Sequence, residues 1–238
     1  MTESKKCNST KKMRGKSMRT VVRFSTWLRA TRLALARGTG VEVPCGTCRA
    51  CCTSSYFIHI SPRETRTLAR IPKKFLTAAP GLPKGHVLLG YFENGHCPLF
   101  VENACSIYAD RSLTCRNYDC RIFTATGLAA GGPEKVNINR KAHNWKFAYP
   151  TQRDRDQQTA LRATVKFLQA RDGSFPAGFV PRRPSVLAVF AIKVYGVFLR
   201  YLKQSGEVRR ALPERTLIKA IMRAYAKFEQ RGAGVLKQ

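Results

Sequence analysis

Eight of the nine cysteines in this 238-residue chain fall between residues 45 and 120, and their spacing constrains the fold more than any other feature. Cys45, Cys48 and Cys51 recur at every third position, Cys52 follows directly, and Cys97, Cys105, Cys115 and Cys120 come later. Two residues between cysteines let a tight turn aim both thiolates at one ion while the loop amides donate to sulfur. Two overlapping spacings of this kind, with Cys52 adjoining and four more cysteines further along, point to metal ligands rather than ordinary buried thiols.

Disulfides would require an oxidising compartment. Met1 to Gly40 is laced with charge and has no unbroken run of seven apolar residues, so it lacks a secretory signal region. A reducing, cytoplasmic setting is therefore expected, in which clustered cysteines hold metal. The longest stretch free of Asp, Glu, Lys and Arg, Ala50 to Pro62, is 13 residues. This is short of the roughly 18 to 20 that cross a bilayer, so no transmembrane segment is expected.

The net charge of +29 is unevenly spread. Residues 1–40 carry 11 basic and 1 acidic residue, residues 41–150 carry 14 and 7, and residues 151–238 carry 18 and 6. Three regions follow: a basic tail and amphipathic helix over 1–40, a cysteine-cluster metal-binding domain over 41–150, and a basic helical lobe over 151–238. So basic a chain calls for an acidic partner, with nucleic acid and other acidic surfaces as the candidates.

Met1 to Lys16 has almost nothing to bury and is expected to be disordered. Val21, Phe24, Trp27, Leu28 and Leu35 recur at helical spacing up to Gly38, predicting a helix over residues 18–37 laid on the domain. This Arg-rich leader also has the composition of an organellar transit peptide. Ser61-Pro62-Arg63-Glu64 reads as a helix start, stopped before Pro72, and residues 75–95 read as a loop with a short strand near His86 to Phe92. Helices are expected over 151–171, 184–203 and 213–230. On the last, Arg215, Lys219, Arg223 and Lys227 form a basic row, read as a solvated face. The fold class is α-rich, α+β with few short strands, with an irregular metal-held cysteine region flanked by helices.

The run Pro44-Cys45-Gly46-Thr47-Cys48-Arg49-Ala50-Cys51-Cys52, with Gly95-His96-Cys97-Pro98, Cys105-Ser106-Ile107-Tyr108, Arg111 and Cys115-Arg116, resembles the YkgJ-type cysteine-cluster family of zinc- or iron-chelating domains over residues 42–123. Ser112 departs from it, since the family typically has proline after the arginine. The flagellin lysine methylases are similar in carrying such a cluster. The resemblance implies metal binding, and leaves enzymatic activity open, with no catalytic residue identified.

Eight thiols can fill two four-thiolate sites, each zinc so bound carrying a formal charge of about −2, or one site with cysteines to spare. Cys51 and Cys52, being adjacent, point apart in most backbone conformations, so they serve different ions or one of them is not a ligand. Cys45, Cys48 and Cys51 with Cys97-Pro98 are also similar to the three-plus-one ligands of ferredoxin clusters. Zinc and iron, including an iron–sulfur cluster, both stay open. Arg49, Arg111, Arg116 and Arg121 sit near the cysteines and are candidates to neutralise thiolate charge, while His59 and His96 are weaker candidate ligands. An iron–sulfur-dependent enzyme, of protein methylase or redox type, and a metal-stabilised nucleic-acid-binding module are the alternatives to a metal-binding protein.

Overall fold

The structure, a computed structural model, describes residues 21–41, 43, 45, 47–201 and 213–235. The expected disordered tail over residues 1–16, the start of the first predicted helix and Lys203 lie outside the described residues.

A two-residue strand, β1 (Val22–Arg23), leads into α1 (Phe24–Arg37). The cysteine segment then carries β2 (Ile58–Ile60), α2 (Thr65–Arg70), β3 (Leu76–Ala78), β4 (Val87–Leu89), β5 (Phe100–Val101), β6 (Ala104–Cys105), α3 (Leu113–Asn117), α4 (Arg121–Thr126), α5 (Val136–Asn144) and β7 (Phe147–Ala148). Four helices follow: α6 (Gln152–Ala170), α7 (Pro184–Val194), α8 (Gly196–Leu199) and α9 (Glu214–Val235). The chain is α-rich with few short strands. Strands β2, β4 and β3 form an antiparallel sheet in that order, β5 pairs antiparallel with β6, and β1 pairs parallel with β7.

Two separate clusters of buried side chains organise these elements. The larger joins Phe24, Trp27 and Leu28 of α1 to Ile122 and Phe123 of α4, Leu161, Val165 and Leu168 of α6, Leu187, Phe190 and Ile192 of α7, and Ile221 of α9. The smaller holds Ile58, Ile60, Ile71, Leu89, Cys97, Leu99 and Ile107. α1 begins only at Phe24, later than its pattern predicts, because Val22 and Arg23 pair with β7 and Val21 is exposed; from Phe24 its apolar face is covered and Gly38 closes it at φ 63°, in the left-handed region that glycine adopts without strain.

Helix ends show where local code and tertiary contact compete. Thr151 and Asp154 form the reciprocal box that starts α6. At Ser61 only half of such a box forms: the Ser61 amide donates to Glu64 Oε1 at 2.8 Å, but the Ser61 hydroxyl accepts from the Arg63 amide, and α2 begins only at Thr65. Glu64 is shared: its Oε2 also accepts from the Leu113 amide at the start of α3. The apolar run from Pro184 does not make one helix, because it breaks at Tyr195 between α7 and α8.

Arg32 closes the C-terminal end of α7. Its guanidinium donates to the Ile192 and Lys193 carbonyls at 2.5 and 2.9 Å and lies over the rings of Tyr195 and Phe228. It thereby ties α1 to α7 and α9. Replacing Arg32 by Ala removes two charge-assisted bonds and two ring contacts, and is expected to cost about 2 to 3 kcal/mol in urea unfolding, whereas Arg29→Ala at an exposed position should change it by less than about 0.5.

Candidate metal centre

Backbone hydrogen bonds bring the cysteine segments together. The Cys48 amide donates to the Cys45 carbonyl at 2.9 Å, forming the turn that the two-residue spacing predicts. Cys51 to Thr53 is a single turn of 3-10 helix, in which successive side chains diverge by about 120°, so Cys51 and Cys52 leave the backbone in different directions. The Cys97 amide donates to the Cys52 carbonyl at 2.8 Å, and the Phe100 amide to the Cys97 carbonyl at 2.9 Å. Cys105 enters through the β5–β6 pairing opposite Phe100. Ser112, where the family pattern has proline, caps α3: its hydroxyl accepts from the Cys115 amide at 3.2 Å.

All eight cysteines are free thiols. Seven of them, Cys45, Cys48, Cys51, Cys52, Cys97, Cys105 and Cys115, line one cavity of about 150 Å³. The eighth, Cys120, is buried, and its sulfur accepts from Trp145 Nε1 at 3.2 Å. Among the described residues, no three His, Cys, Asp or Glu side chains are drawn together as a closed ligand set.

The thiols nonetheless sort into two neighbourhoods. Cys51 feels Cys120, Cys45 and Cys48 most strongly and its neighbour Cys52 least, and Cys120 lies within range of Cys45 and Cys48. Cys52 feels Cys97, Cys105 and Cys115 most strongly and Cys48 least, and Cys97 lies within range of Cys115 and Cys105. Packing divides them in the same way where it speaks, since Cys120 belongs to the larger core while Cys97, Cys52, Cys105 and Cys115 belong to or pack on the smaller. Cys51 and Cys52 straddle the division.

Burial dominates the thiol chemistry. It pushes Cys45, Cys51 and Cys115 up, Cys52 and Cys120 to about 12, and Cys97 to about 11, with neighbouring thiols adding to the rise in each. Opposing this, the Trp145 bond lowers Cys120, and Lys141 and Arg121 lower Cys45. Without a cation these thiols are neutral, and an entering divalent ion must displace their protons.

The four candidate arginines divide. Arg121 lies in range of Cys45 and Arg111 in range of Cys115. Arg121 is also committed to Asp119, in a buried ion pair of 2.8 Å, and Asp119 in turn accepts from Trp27 Nε1 at 2.8 Å. Arg111 stacks on Tyr108, and Arg49 folds back onto the Thr47 carbonyl. Arg116 lines the cavity beside the thiols. His59 is not with the cysteines: its Nε2 lies 2.8 Å from His86 Nδ1. His96 packs edge-on against Phe100.

Several supporting residues carry no sequence pattern that would single them out. Tyr91 donates its hydroxyl to the Cys51 carbonyl at 2.8 Å, and Tyr118 lies beside Cys51 and Cys120. Lys135 donates to the carbonyls of Ser54 and Ser55, and Asn137 to Thr53, tying the 3-10 turn to α5. Gly40 lies close to α3: a Cβ there would sit 2.1 Å from Oδ1 of Asn117, an exposed side chain that can turn away, and 3.1 Å from the Arg116 carbonyl. Gly40→Ala is therefore expected to cost no more than about 1 kcal/mol in urea unfolding.

Residues 44–145 match the model of the family CxxCxxCC, whose description is "Putative zinc- or iron-chelating domain". No curated protein and no solved structure matches the chain. Among the described residues, no helix is long and apolar enough to cross a membrane.

Proposed function

We propose, because residues 44–145 match the model of the CxxCxxCC chelating domain, that the chain is a metal-binding protein whose eight clustered cysteines hold two ions in two four-thiolate sites. Cys45, Cys48, Cys51 and Cys120 supply one site, and Cys52, Cys97, Cys105 and Cys115 the other. The observation that carries this reading is the division of the thiols into two groups of four, with the adjacent pair Cys51 and Cys52 split between them. The donors fit in kind and number: four sulfurs on each side suit tetrahedral zinc, or an iron–sulfur cluster, with no histidine required. The cavity between the thiols leaves room for side-chain closure, and in a four-thiolate zinc site sulfurs stand about 3.8 Å apart.

The ions would supply structure rather than chemistry. Four thiolates on each ion would leave no open coordination position of the kind a hydrolytic zinc keeps. Arg111, Arg121 and Lys141 offset part of the thiolate charge, and the Trp145 indole gives Cys120 a hydrogen bond that stabilises the sulfur anion. Elemental analysis of protein purified anaerobically tests the reading. Colourless protein with about two zinc ions per chain is the expected result. A brown protein absorbing near 400 nm replaces zinc with iron–sulfur at one or both groups, and protein that takes up neither metal overturns the proposal. Cys52→Ser and Cys51→Ser should each remove one equivalent, leaving the other group loaded.

A further inference from the structure

A second cavity, lined by no cysteine among the described residues, lies where α5 and β7 meet α6, and shares only Trp145, the partner of Cys120, with the thiol region. Its volume is about 470 Å³, within the range of ligand pockets. Two features set its chemistry. The alternating aromatic residues Trp145, Phe147 and Tyr149 form one wall, and the basic side chains of His143, Lys146 and Arg162 stand around it. No aspartate or glutamate lines the cavity.

The wall is rigid. Phe147 packs edge-on against Phe24 at 5.2 Å and against Trp27 at 4.9 Å, while Tyr149 stacks on Phe24 at 5.6 Å with 28° between the rings. Gln158 hydrogen-bonds the Tyr149 hydroxyl, fixing its outer end. Both rings remain half-buried, so each keeps surface for a planar ligand. Such preorganised rings bind a base without the cost of ordering a side chain.

The cations are uncommitted. None of His143, Lys146 and Arg162 makes an ion pair among the described residues. Arg162 spends one Nη2 bond on the carbonyl of Thr124, another residue of the cavity lining, at 3.2 Å. His143 Nδ1 donates to the Asn139 carbonyl at 3.1 Å, leaving Nε2 without that partner. Aromatic surface beside unpaired guanidinium and ammonium groups, with carboxylates excluded, suits a ligand with a planar ring and an anionic group.

We infer that this cavity binds a nucleoside phosphate, presented either as a free nucleotide or as one unit of a single-stranded nucleic acid. The base stacks against Phe147 and Tyr149, and the phosphate is held by Arg162 and Lys146. The net charge of +29 raises the local concentration of either form.

Isothermal titration of the full-length protein as purified, at 50 mM salt, tests this with adenosine monophosphate, hexa-adenylate, adenosine and inorganic phosphate. Adenosine monophosphate is expected to bind at least tenfold more tightly than adenosine or phosphate alone. If hexa-adenylate gains a further tenfold or more, the source is a nucleic acid strand, and equal affinity assigns the free nucleotide. Arg162→Gln and Lys146→Gln, both at exposed positions, should each weaken binding about tenfold with an unchanged circular dichroism spectrum. The control Arg223→Gln with Lys227→Gln, on α9, should change it less than twofold. The inference is overturned if neither nucleotide form binds, if phosphate alone matches adenosine monophosphate, or if the α9 control loses as much affinity as the cavity variants.

Discussion

Treatment with a strong chelator is expected to dissolve the tertiary structure of residues 43–118 while leaving the larger helical core folded. A structural zinc contributes on the order of 10 to 16 kcal/mol of folding free energy, as much as the whole net stability of a typical domain, about 5 to 15 kcal/mol. The segment it would hold has little else. Its buried cluster is seven residues, one of them Cys97, and its strands are two or three residues long. Sheets so short are not stable by themselves in water. The helices α1, α6, α7 and α9 draw on a much larger shared core and need no ion. Hydrogen exchange before and after chelation should show complete loss of protection at β2, β4 and α3, with α6 little changed. Uniform protection in both states would contradict a structural role for the metal. Adding zinc back should restore the lost protection, which separates metal loss from oxidation of the thiols.

The second large effect is expected at Asp154, which is fully buried at the start of α6. Its carboxylate accepts from Arg23 Nε at 3.1 Å, the Ser25 amide at 3.0 Å, the Thr151 amide at 3.0 Å and the Thr151 hydroxyl at 2.5 Å. Burial alone would raise its pKa, but these hydrogen bonds together overcome that and hold it far below the usual carboxylate range. Asp154→Ala removes the helix-start box and four hydrogen bonds whose donors are partly exposed, and is expected to cost about 2 to 3 kcal/mol. At about 2 to 4 °C per kcal/mol for a chain of this size, the melting temperature should fall by roughly 4 to 12 °C. Since Arg23 is 45% exposed, most of this loss comes from the amide and hydroxyl bonds rather than the ion pair. The pH dependence has a definite sign. A depressed carboxylate binds fewer protons in the folded state, so its contribution is complete above about pH 4 and is lost as pH falls towards the folded value. Denaturant titrations between pH 5 and 2.5 should therefore converge for wild type and Asp154→Asn as the pH drops. A constant gap between them would remove the carboxylate charge from the account.

What the sequence made legible was whatever is encoded over short distances. The cysteine spacing gave the turn at Cys45 to Cys48, and stop signals at Gly38 and Asp172-Gly173 closed α1 and α6. What was not legible depends on partners far apart in the chain. Strand β3 was hidden because its three residues pair with β4 across a loop, and α5 because its register is set by Asn137 and Lys135 reaching back about 80 residues. The same holds at the thiol site, where Trp145 reaches Cys120 and Tyr91 reaches Cys51 through pairings that no local pattern announces. Ser112 shows the converse, since it departs from the family pattern at one position and still caps its helix with a hydroxyl.

The packing of the first described helix against the last has a consequence for how the protein is made. Phe24, Trp27 and Leu28 are covered by residues from α4 onward, and the Arg32 latch is completed by Phe228. During synthesis, α1 emerges before the helices that cover it and must wait, with its greasy stripe and six nearby arginines uncovered, until α9 has been translated about 190 residues later. The nascent chain thus passes through a long window in which a cationic amphipathic segment is available to chaperones, so truncated or stalled products should be recognised and cleared even when their cysteines are intact.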